Sequence, residues 1–147
     1  MHVLIINGSP RVKKYSNTNA ILEKFTEGLR ETGATFEQYE ISDRGSWDQI
    51  RQAFDRDTVI LIALPLYVEC IPGLLIEFLE TLTPKSDGSK LAFLLQGGFM
   101  EGVQLRCGEA YLKILCTHYE LQYRLHRSSQ KLSEPLPVLK DYPPRRR

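Results

Sequence analysis

Side chains that can bind an anion follow the first apolar run of the chain, at residues 3–6. They are the hydroxyls of Ser9, Ser16 and Thr18 and the guanidinium of Arg11, and residues near Asn17 offer backbone N–H groups. Hydroxyls and an arginine donate hydrogen bonds to oxyanions, and backbone N–H groups at the start of a following helix add to them. Gly8 would let the backbone approach a ligand closely. The stretch predicts a phosphate pocket, the alternative being an ordinary strand-to-helix turn with capping residues.

Two further loops have an unusual composition. One consists of Pro65, Leu66, Tyr67 and Val68, and the other of Gln96, Gly97, Gly98 and Phe99. Apolar and aromatic side chains in the former could pack on a planar ring, and the paired glycines of the latter allow close backbone approach. Taken singly, each could equally be a plain connection between a strand and a helix. The phosphate loop matches neither a Walker loop nor the three-glycine dinucleotide fingerprint.

Strand and helix signals alternate along the chain. Predicted strands cover residues 3–6, 35–41, 58–64, 91–95 and 121–125, and predicted helices cover residues 20–30, 47–54, 74–82 and 103–119. In the last helix, spacing predicts a buried apolar face through Cys107, Tyr111, Ile114, Leu115 and His118. On that face His118 would be a core histidine rather than a functional one. The alternation predicts an α/β fold with a parallel sheet.

The strand patterns also predict an order. The first, third and fourth strands are continuous apolar runs, which is typical of central strands that are covered on both faces. The second strand is largely polar and the fifth alternates, so both are predicted at edges. Only the order 2-1-3-4-5, a flavodoxin-like doubly wound sheet, satisfies this, whereas 3-2-1-4-5 would place the apolar third strand at an edge. Ligands bind where such a sheet reverses its winding, and the three loops converge there.

Composition and charge exclude several classes of function. The chain has 147 residues, 42% of them hydrophobic and 25% charged, which is ordinary for one globular domain. Its formal charge of +1 is more than accounted for by Arg145, Arg146 and Arg147, so we expect no nucleic-acid partner. No apolar run reaches membrane-spanning length, and we expect no membrane partner. Three cysteines at unrelated spacings predict neither a disulfide framework nor a metal site, and favour the reducing cytoplasm.

The three loops together resemble the signatures of the NAD(P)H-dependent FMN reductase family, the flavodoxin-like oxidoreductases. The resemblance spans roughly residues 1–126 and keeps the three motifs in the family's order. It implies that the phosphate of FMN is held by Ser9, Arg11, Ser16, Asn17 and Thr18. It also implies that the isoalloxazine ring is framed by Pro65, Leu66, Tyr67, Val68, Gln96, Gly97, Gly98 and Phe99.

By this resemblance the protein is an FMN-dependent oxidoreductase that passes a hydride from NAD(P)H via FMN to a quinone, a flavin or a similar small-molecule acceptor. No catalytic side chain is implied, because the hydride step requires neither an acid nor a base. Two alternatives stay open: a flavodoxin-like electron carrier without its own NAD(P)H oxidation, and a domain with a non-catalytic or assembly role. We expect a homo-oligomer.

The chain departs from the family pattern in two places. The connection after the second strand shrinks to residues 42–46 and has no cysteine, which excludes a cysteine-bound cluster there. No fifth helix is predicted after the last strand, because four prolines within residues 128–147 oppose one. We therefore expect a flavodoxin-like domain at residues 1–127 and a proline-rich basic tail at residues 128–147. The tail, a partner subunit or further sequence would cover the sheet face that the missing helix leaves open.

Overall fold

A computed structural model describes residues 1–98 and 105–119, together with the backbone of residues 122–125. Strands and helices alternate in it as the sequence predicts. The strands are β1 (His2–Asn7), β2 (Thr35–Glu40), β3 (Val59–Pro65), β4 (Lys90–Gln96) and β5 (Gln122–Leu125). The helices are α1 (Asn17–Glu31), α2 (Trp47–Arg56), α3 (Gly73–Leu79) and α4 (Leu105–His118). Each observed element overlaps its predicted range and differs from it by a few residues at the ends.

The strands form a parallel sheet in the order β2-β1-β3-β4-β5. β1 lies between β2 and β3: Ile5 pairs with Gln38 of β2 on one side and with Leu61 of β3 on the other. The short β5 pairs with the amino-terminal half of β4. The parallel α/β fold is confirmed, and so is the order 2-1-3-4 of the first four strands. Because β3 pairs directly with β1, the order 3-2-1-4-5 is excluded.

The helices divide unequally between the two faces of the sheet. The larger core cluster lies on the face covered by α2, α3 and α4, and includes Leu4, Ile6 and Phe93 together with Phe54 and Phe78. The smaller cluster lies under α1 and contains Val3, Ile5, Leu22, Leu61 and Ala63. In parallel sheets, alternate residues of one strand point to opposite faces, which is why Leu4 and Ile5 belong to different clusters.

On the α1 face, β4 is only partly covered. Ala92 and Leu94 point toward α1 but remain half-buried, and so does Val59 at the start of β3. Within the described residues α1 is the one helix that packs on this side of the sheet. The predicted lack of a fifth helix and the predicted proline-rich tail fall on residues 126–147, outside the described residues.

The end of α1 shows why the first strand–helix–strand unit closes where it does. Gly33 has a φ of +71°, and its N–H donates to the carbonyl of Arg30 at 3.0 Å. The N–H of Ala34 reaches back to Leu29 at 3.2 Å, completing a Schellman ending. A left-handed backbone is accessible to glycine without a side-chain clash, so Gly33 directs the chain into β2.

The buried face predicted for the last helix is wrong. The side of α4 that packs on the sheet consists of Gly108, Leu112, Leu115, Cys116 and the following Tyr119. Of the predicted face only Leu115 is buried, whereas Cys107, Tyr111, Ile114 and His118 are exposed. Both stripes have helical spacing, so periodicity alone could not choose between them. His118 is therefore an exposed residue at the helix end and not a core histidine.

No helix among the described residues is both long enough and apolar enough to cross a membrane.

Candidate functional site

Direct hydrogen bonds join the three chemically unusual loops at the carboxyl edge of the sheet. The N–H of Gly8, just after β1, donates to the carbonyl of Ala63 at 2.7 Å. The N–H of Leu66, just after β3, donates to the carbonyl of Gln96 at 2.8 Å. The crevice between β1 and β3 is where the winding of the sheet reverses, and in open α/β sheets this is where ligands bind.

Two buried serine hydroxyls in the first loop have protons that are free to be donated to a ligand. The Oγ of Ser9 accepts a hydrogen bond from the N–H of Arg11 at 3.3 Å, and the Oγ of Ser16 accepts from the N–H of Asn19 at 3.2 Å. Neither hydroxyl donates to any described residue. Buried hydroxyls normally have their protons satisfied, so these two fit an acceptor that the described residues do not supply.

The start of α1 adds further donors beside those hydroxyls. Ser16 is the N-cap of the helix, and the backbone N–H groups of Asn17 and Thr18 have no acceptor among the described residues. The guanidinium of Arg11 is exposed and makes no ion pair within the described part of the chain. Hydroxyls, first-turn N–H groups and an arginine form a donor set suited to a phosphate.

Thr18 plays a different part from the two serines. Its side chain is buried, and its Oγ1 donates to Oε1 of Gln96 at the end of β4, at 3.2 Å. The hydroxyl proton is thus already used in linking the first loop to the third. In this arrangement Thr18 can offer its backbone N–H to an anion, while its side chain joins the two loops.

Gly8 lies too close to its neighbours to carry a side chain. A Cβ at this position would lie 2.8 Å from Cδ2 of Leu75 and 3.2 Å from the carbonyl oxygen of Ala63. The space beside the glycine is therefore filled by α3 and β3. The absence of a side chain lets the first loop lie directly against its neighbouring strand.

The second loop contains a tight turn with an unusual backbone. Tyr67 and Cys70 exchange two backbone hydrogen bonds, at 2.8 and 3.0 Å, and Val68 and Glu69 between them have φ values of 49° and 69°. Two consecutive positive φ angles are typical of a type I′ turn, which glycine and asparagine prefer. A β-branched residue such as Val68 is strained there, and strain of this kind concentrates at functional sites.

The side chains of the second loop divide into an inner and an outer group. Pro65 and Leu66 are buried, whereas Tyr67 is half-exposed and Val68 is 81% exposed. Leu66 is held from behind by α4, since a Cβ on Gly108 would lie 2.8 Å from its Cδ2. The inner group anchors the turn, and the outer group presents apolar surface at the mouth of the crevice.

In the third loop, Gln96 is the last residue of β4, and Gly97 and Gly98 follow it on the surface. A Cβ on Gly97 would lie 3.2 Å from Leu105, while one on Gly98 would point into open space. The backbone can therefore be approached at Gly98. Phe99 lies outside the described residues.

A group of polar side chains that sequence patterns did not reveal lies beneath the first loop. Asn7 is completely buried, and its Oδ1 accepts a hydrogen bond from the N–H of Ser9 at 3.0 Å. Its Nδ2 donates to Glu40 at the end of β2, at 2.5 Å. The available signal was the polar Asn7 at the end of an apolar strand, together with the polar character of β2.

A second cluster of polar residues lies at the opposite, amino-terminal edge of the sheet. Single ligand atoms of His2, Glu37 and Asp57 lie within 4.8 Å of one another, but the guanidinium of Arg56 bridges the two carboxylates at 2.9 Å each. Arg56 lowers the pKa values of both Asp57 and Glu37 below their usual range. With a cation already between them, these carboxylates form a structural ion-pair network.

Cys70, Cys107 and Cys116 are all free thiols.

Comparisons with known proteins identify the family of the chain and its fold. The family model described as NADPH-dependent FMN reductase matches residues 1–116. An FMN-dependent NADH-azoreductase from Bacillus anthracis str. Ames Ancestor, solved in complex with FMN, is 17% identical with a TM-score of 0.66, and the match covers 85% of each chain. The apo form of the NADH:FMN oxidoreductase EMOB is 20% identical with a TM-score of 0.68, covering 95% of this chain and 82% of that one.

An NAD(P)H:quinone oxidoreductase from Methanothermobacter marburgensis has a TM-score of 0.63 at 16% identity, again over 85% of each chain. At such identities the solved structures show a common fold. No curated protein matched the chain by sequence.

Proposed function

The chain belongs to the NADPH-dependent FMN reductase family, and from this premise we propose how its three loops bind FMN and what the bound flavin is used for. The protein is an NAD(P)H-dependent flavin oxidoreductase. Its proposed reaction passes a hydride from NAD(P)H by way of FMN to a quinone, a free flavin or a similar small acceptor. The observation that carries the proposal is the pair of buried hydroxyl protons, on Ser9 and Ser16, that no described residue accepts.

The first loop is the proposed phosphate site. Its donors would be the hydroxyls of Ser9 and Ser16, the guanidinium of Arg11, and the backbone N–H groups of Asn17 and Thr18. A phosphate monoester has three acceptor oxygens and a charge near −2, which this donor set complements. The positive end of the α1 dipole favours the same anion. No lysine is required, and Lys13 and Lys14 remain exposed on the surface.

The second and third loops are the proposed ring site. Pro65, Leu66, Tyr67 and Val68 would frame one side of the isoalloxazine, with Gln96, Gly97, Gly98 and Phe99 on the other. Exposed apolar surface on Tyr67 and Val68 supports this role, because a planar ring gains most from such contacts. The backbone N–H groups of Val68 and Glu69 have no acceptor among the described residues, so they are free to meet a polar ring edge.

When bound, FMN supplies a ring that accepts a hydride and gives up electrons. The chain's own contribution is binding and orientation: the first loop fixes the phosphate end, and the turn at residues 67–70 limits where the ring can lie. We assign no catalytic side chain, since none of the described side chains is needed to move a proton in the hydride step. The proposed electron acceptor is a small redox-active molecule.

We also propose that the protein is a homo-oligomer. The exposed stripe of α4 supports this, because Ile114 is 71% exposed and Tyr111 39% exposed on the same side of the helix as Cys107 and His118. Apolar residues that follow one another on an exposed helix face are typical of interaction surfaces. Sedimentation of the wild type and of Ile114→Glu tests this. A wild type that sediments as a monomer contradicts it.

The free thiols support the proposal of a cytoplasmic protein, because exposed cysteines persist unpaired in a reducing compartment. We also propose that the chain consists of a flavin-binding domain at residues 1–127 and a tail at residues 128–147.

The proposed function is tested on the purified full chain. We expect flavin absorbance near roughly 450 nm, as for any bound flavin, and oxidation of NADPH or NADH that accelerates when a quinone is added. Flavin binding without any NAD(P)H oxidation would indicate an electron carrier instead. A well-folded protein with no affinity for FMN would contradict the proposal and favour a non-catalytic role.

A further inference from the structure

Asn7 and the half-buried Glu40 form a hydrogen-bonded pair under the first loop. Asn7 is fully buried, and its amide has two ends with opposite hydrogen-bonding character. The oxygen end accepts from the N–H of Ser9 at 3.0 Å, and the nitrogen end donates to Oε2 of Glu40 at 2.5 Å. Glu40 therefore determines which end of Asn7 faces the loop.

The same carboxylate also connects to the other end of the loop. Oε1 of Glu40 accepts from Nε2 of Gln38 at 2.9 Å, and that nitrogen also donates to Oδ1 of Asn19 at 3.3 Å. The backbone N–H of Asn19 in turn donates to Oγ of Ser16 at 3.2 Å. A continuous chain of hydrogen bonds thus runs from Ser9 to Ser16 through the end of β2.

The register of the sheet explains why these residues meet. Asn7 of β1 pairs with Glu40 of β2, and Ile5 pairs with Gln38. Ile5 belongs to the cluster under α1, so Asn7, Gln38 and Glu40 all share that face and lie at its carboxyl end. There they sit directly beneath the start of α1, which supplies Asn19.

The chemistry at position 40 requires an acceptor at both contacts. An ionised carboxylate only accepts hydrogen bonds, so Asn7 and Gln38 must both present N–H groups to it. By charge alone, a carboxylate near an anion site opposes anion binding. Its favourable contribution therefore has to come through the hydrogen bonds that fix the loop.

We propose that Glu40 is a positioning residue for the first loop: through Asn7 and Gln38, its carboxylate holds Ser9 and Ser16 in the arrangement that recognises the phosphate of a phosphorylated flavin. This inference rests on the proposed function of the loop. β2 supplies none of the proposed ligand contacts, and the proposal gives this strand a role in selecting FMN over riboflavin.

The test compares the affinities of the flavin-free full chain for FMN and riboflavin, measured by quenching of flavin fluorescence. Glu40→Ala removes the acceptor of Asn7 and one of the two acceptors of Gln38. We expect it to weaken FMN binding about tenfold while riboflavin binding changes less than about twofold. Glu40→Gln should restore part of the preference, since its Oε1 can still accept from Asn7 while its Nε2 cannot accept from Gln38. The matched control is Glu37→Ala, on the same strand but the opposite face, whose carboxylate pairs with Arg56. It should leave the preference unchanged.

A second measurement does not depend on flavin. Amide hydrogen exchange in residues 8–19 should be faster in Glu40→Ala than in the wild type and unchanged in Glu37→Ala. Unchanged exchange, an unchanged FMN preference, or an equal loss of both flavins in Glu40→Ala would each overturn the proposal. If the wild type itself binds FMN no more tightly than riboflavin, the phosphate assignment fails, and the exchange data still decide whether Glu40 holds the loop.

Discussion

The hydroxyl of Thr18 donates to the side-chain oxygen of Gln96 at 3.2 Å, across 78 positions of the chain. This bond joins the start of α1 to the end of β4, at the carboxyl edge of the sheet. It connects the proposed phosphate site to the proposed ring site with a single side-chain contact. The two halves of the site are therefore mechanically linked before any ligand is bound.

Replacing Thr18 by valine keeps the shape of the side chain and removes its donor. We expect Thr18→Val to lower the free energy of unfolding by about 1 kcal/mol, the usual net value of one hydrogen bond. Denaturant unfolding measures this, with Thr58→Val as the control, an exposed threonine whose hydroxyl has no partner among the described residues. Equal stability of the two variants would show that the link contributes nothing.

Replacing Arg11 by alanine removes a guanidinium that has no other described partner. We expect Arg11→Ala to weaken FMN about ten- to a hundredfold, the range of a charge-assisted hydrogen bond, with little effect on riboflavin. Fluorescence titration with both flavins measures the difference. Lys14→Ala, which also removes a nearby positive charge, should change FMN affinity by less than about twofold. A similar loss in both variants would indicate general attraction instead of a specific contact.

Adding a methyl group to Gly108 should disturb the second loop. The new Cβ would lie 2.8 Å from Cδ2 of Leu66, and we expect Gly108→Ala to destabilise the fold by about 1–3 kcal/mol through overpacking. Gly28→Ala, in open space on α1, should instead stabilise by about 0.5–1 kcal/mol. In a protein that already carries Leu66→Ala, the Gly108→Ala substitution should no longer destabilise the fold. Thermal unfolding of the four variants measures this. If Gly108→Ala still destabilises the protein that carries Leu66→Ala, the clash lies with another residue.

The positive φ of Val68 predicts that glycine is better tolerated there than at another exposed valine. Val12 is also exposed but has a φ of −57°. Glycine adds the same entropy to the unfolded chain at both positions, so the difference between Val68→Gly and Val12→Gly isolates the strain. We expect Val68→Gly to be more stable by about 1–2 kcal/mol in denaturant unfolding. Equal effects would mean that the turn carries no strain.

Cys116 predicts a specific loss of stability at alkaline pH. Burial raises the pKa of its thiol to about 11, above the ordinary value of 9.0, because the thiolate cannot be solvated in the core. The protonated thiol therefore stabilises the fold fully below pH 9, and this contribution is lost as the pH rises through 11. The difference in unfolding free energy between the wild type and Cys116→Ala should narrow over that range. A constant difference would contradict the assignment.

Tyr119 also has a pKa raised by burial, but it is present in both proteins and cancels in that comparison. As an independent check, a thiol reagent should modify the exposed Cys70 and Cys107 quickly, and Cys116 only on unfolding.

Element types and strand order could be predicted from the sequence because they follow from local pattern and burial. The continuous apolar run of β3 requires cover on both faces, and the polar residues of β2 require an edge, so the order of the first four strands follows. The convergence of the three loops follows from that order, because the carboxyl ends of parallel strands share one edge of the sheet. Helical spacing could not decide which side of α4 is buried, since Ile114 and Leu112 both belong to plausible apolar stripes.

By itself, then, the sequence determined the sheet, its winding and the loops that lie at its reversal point. Only the tertiary structure decided how those loops are held: Gly8 against Leu75, Thr18 on Gln96, and Asn7 on Glu40. The physical reason is that each of these contacts joins positions distant in the chain and depends on register to within one residue, whereas sequence patterns report only whether a position is polar or apolar. The hydrogen-bonding partner of a buried polar group is fixed by the packing of the whole fold.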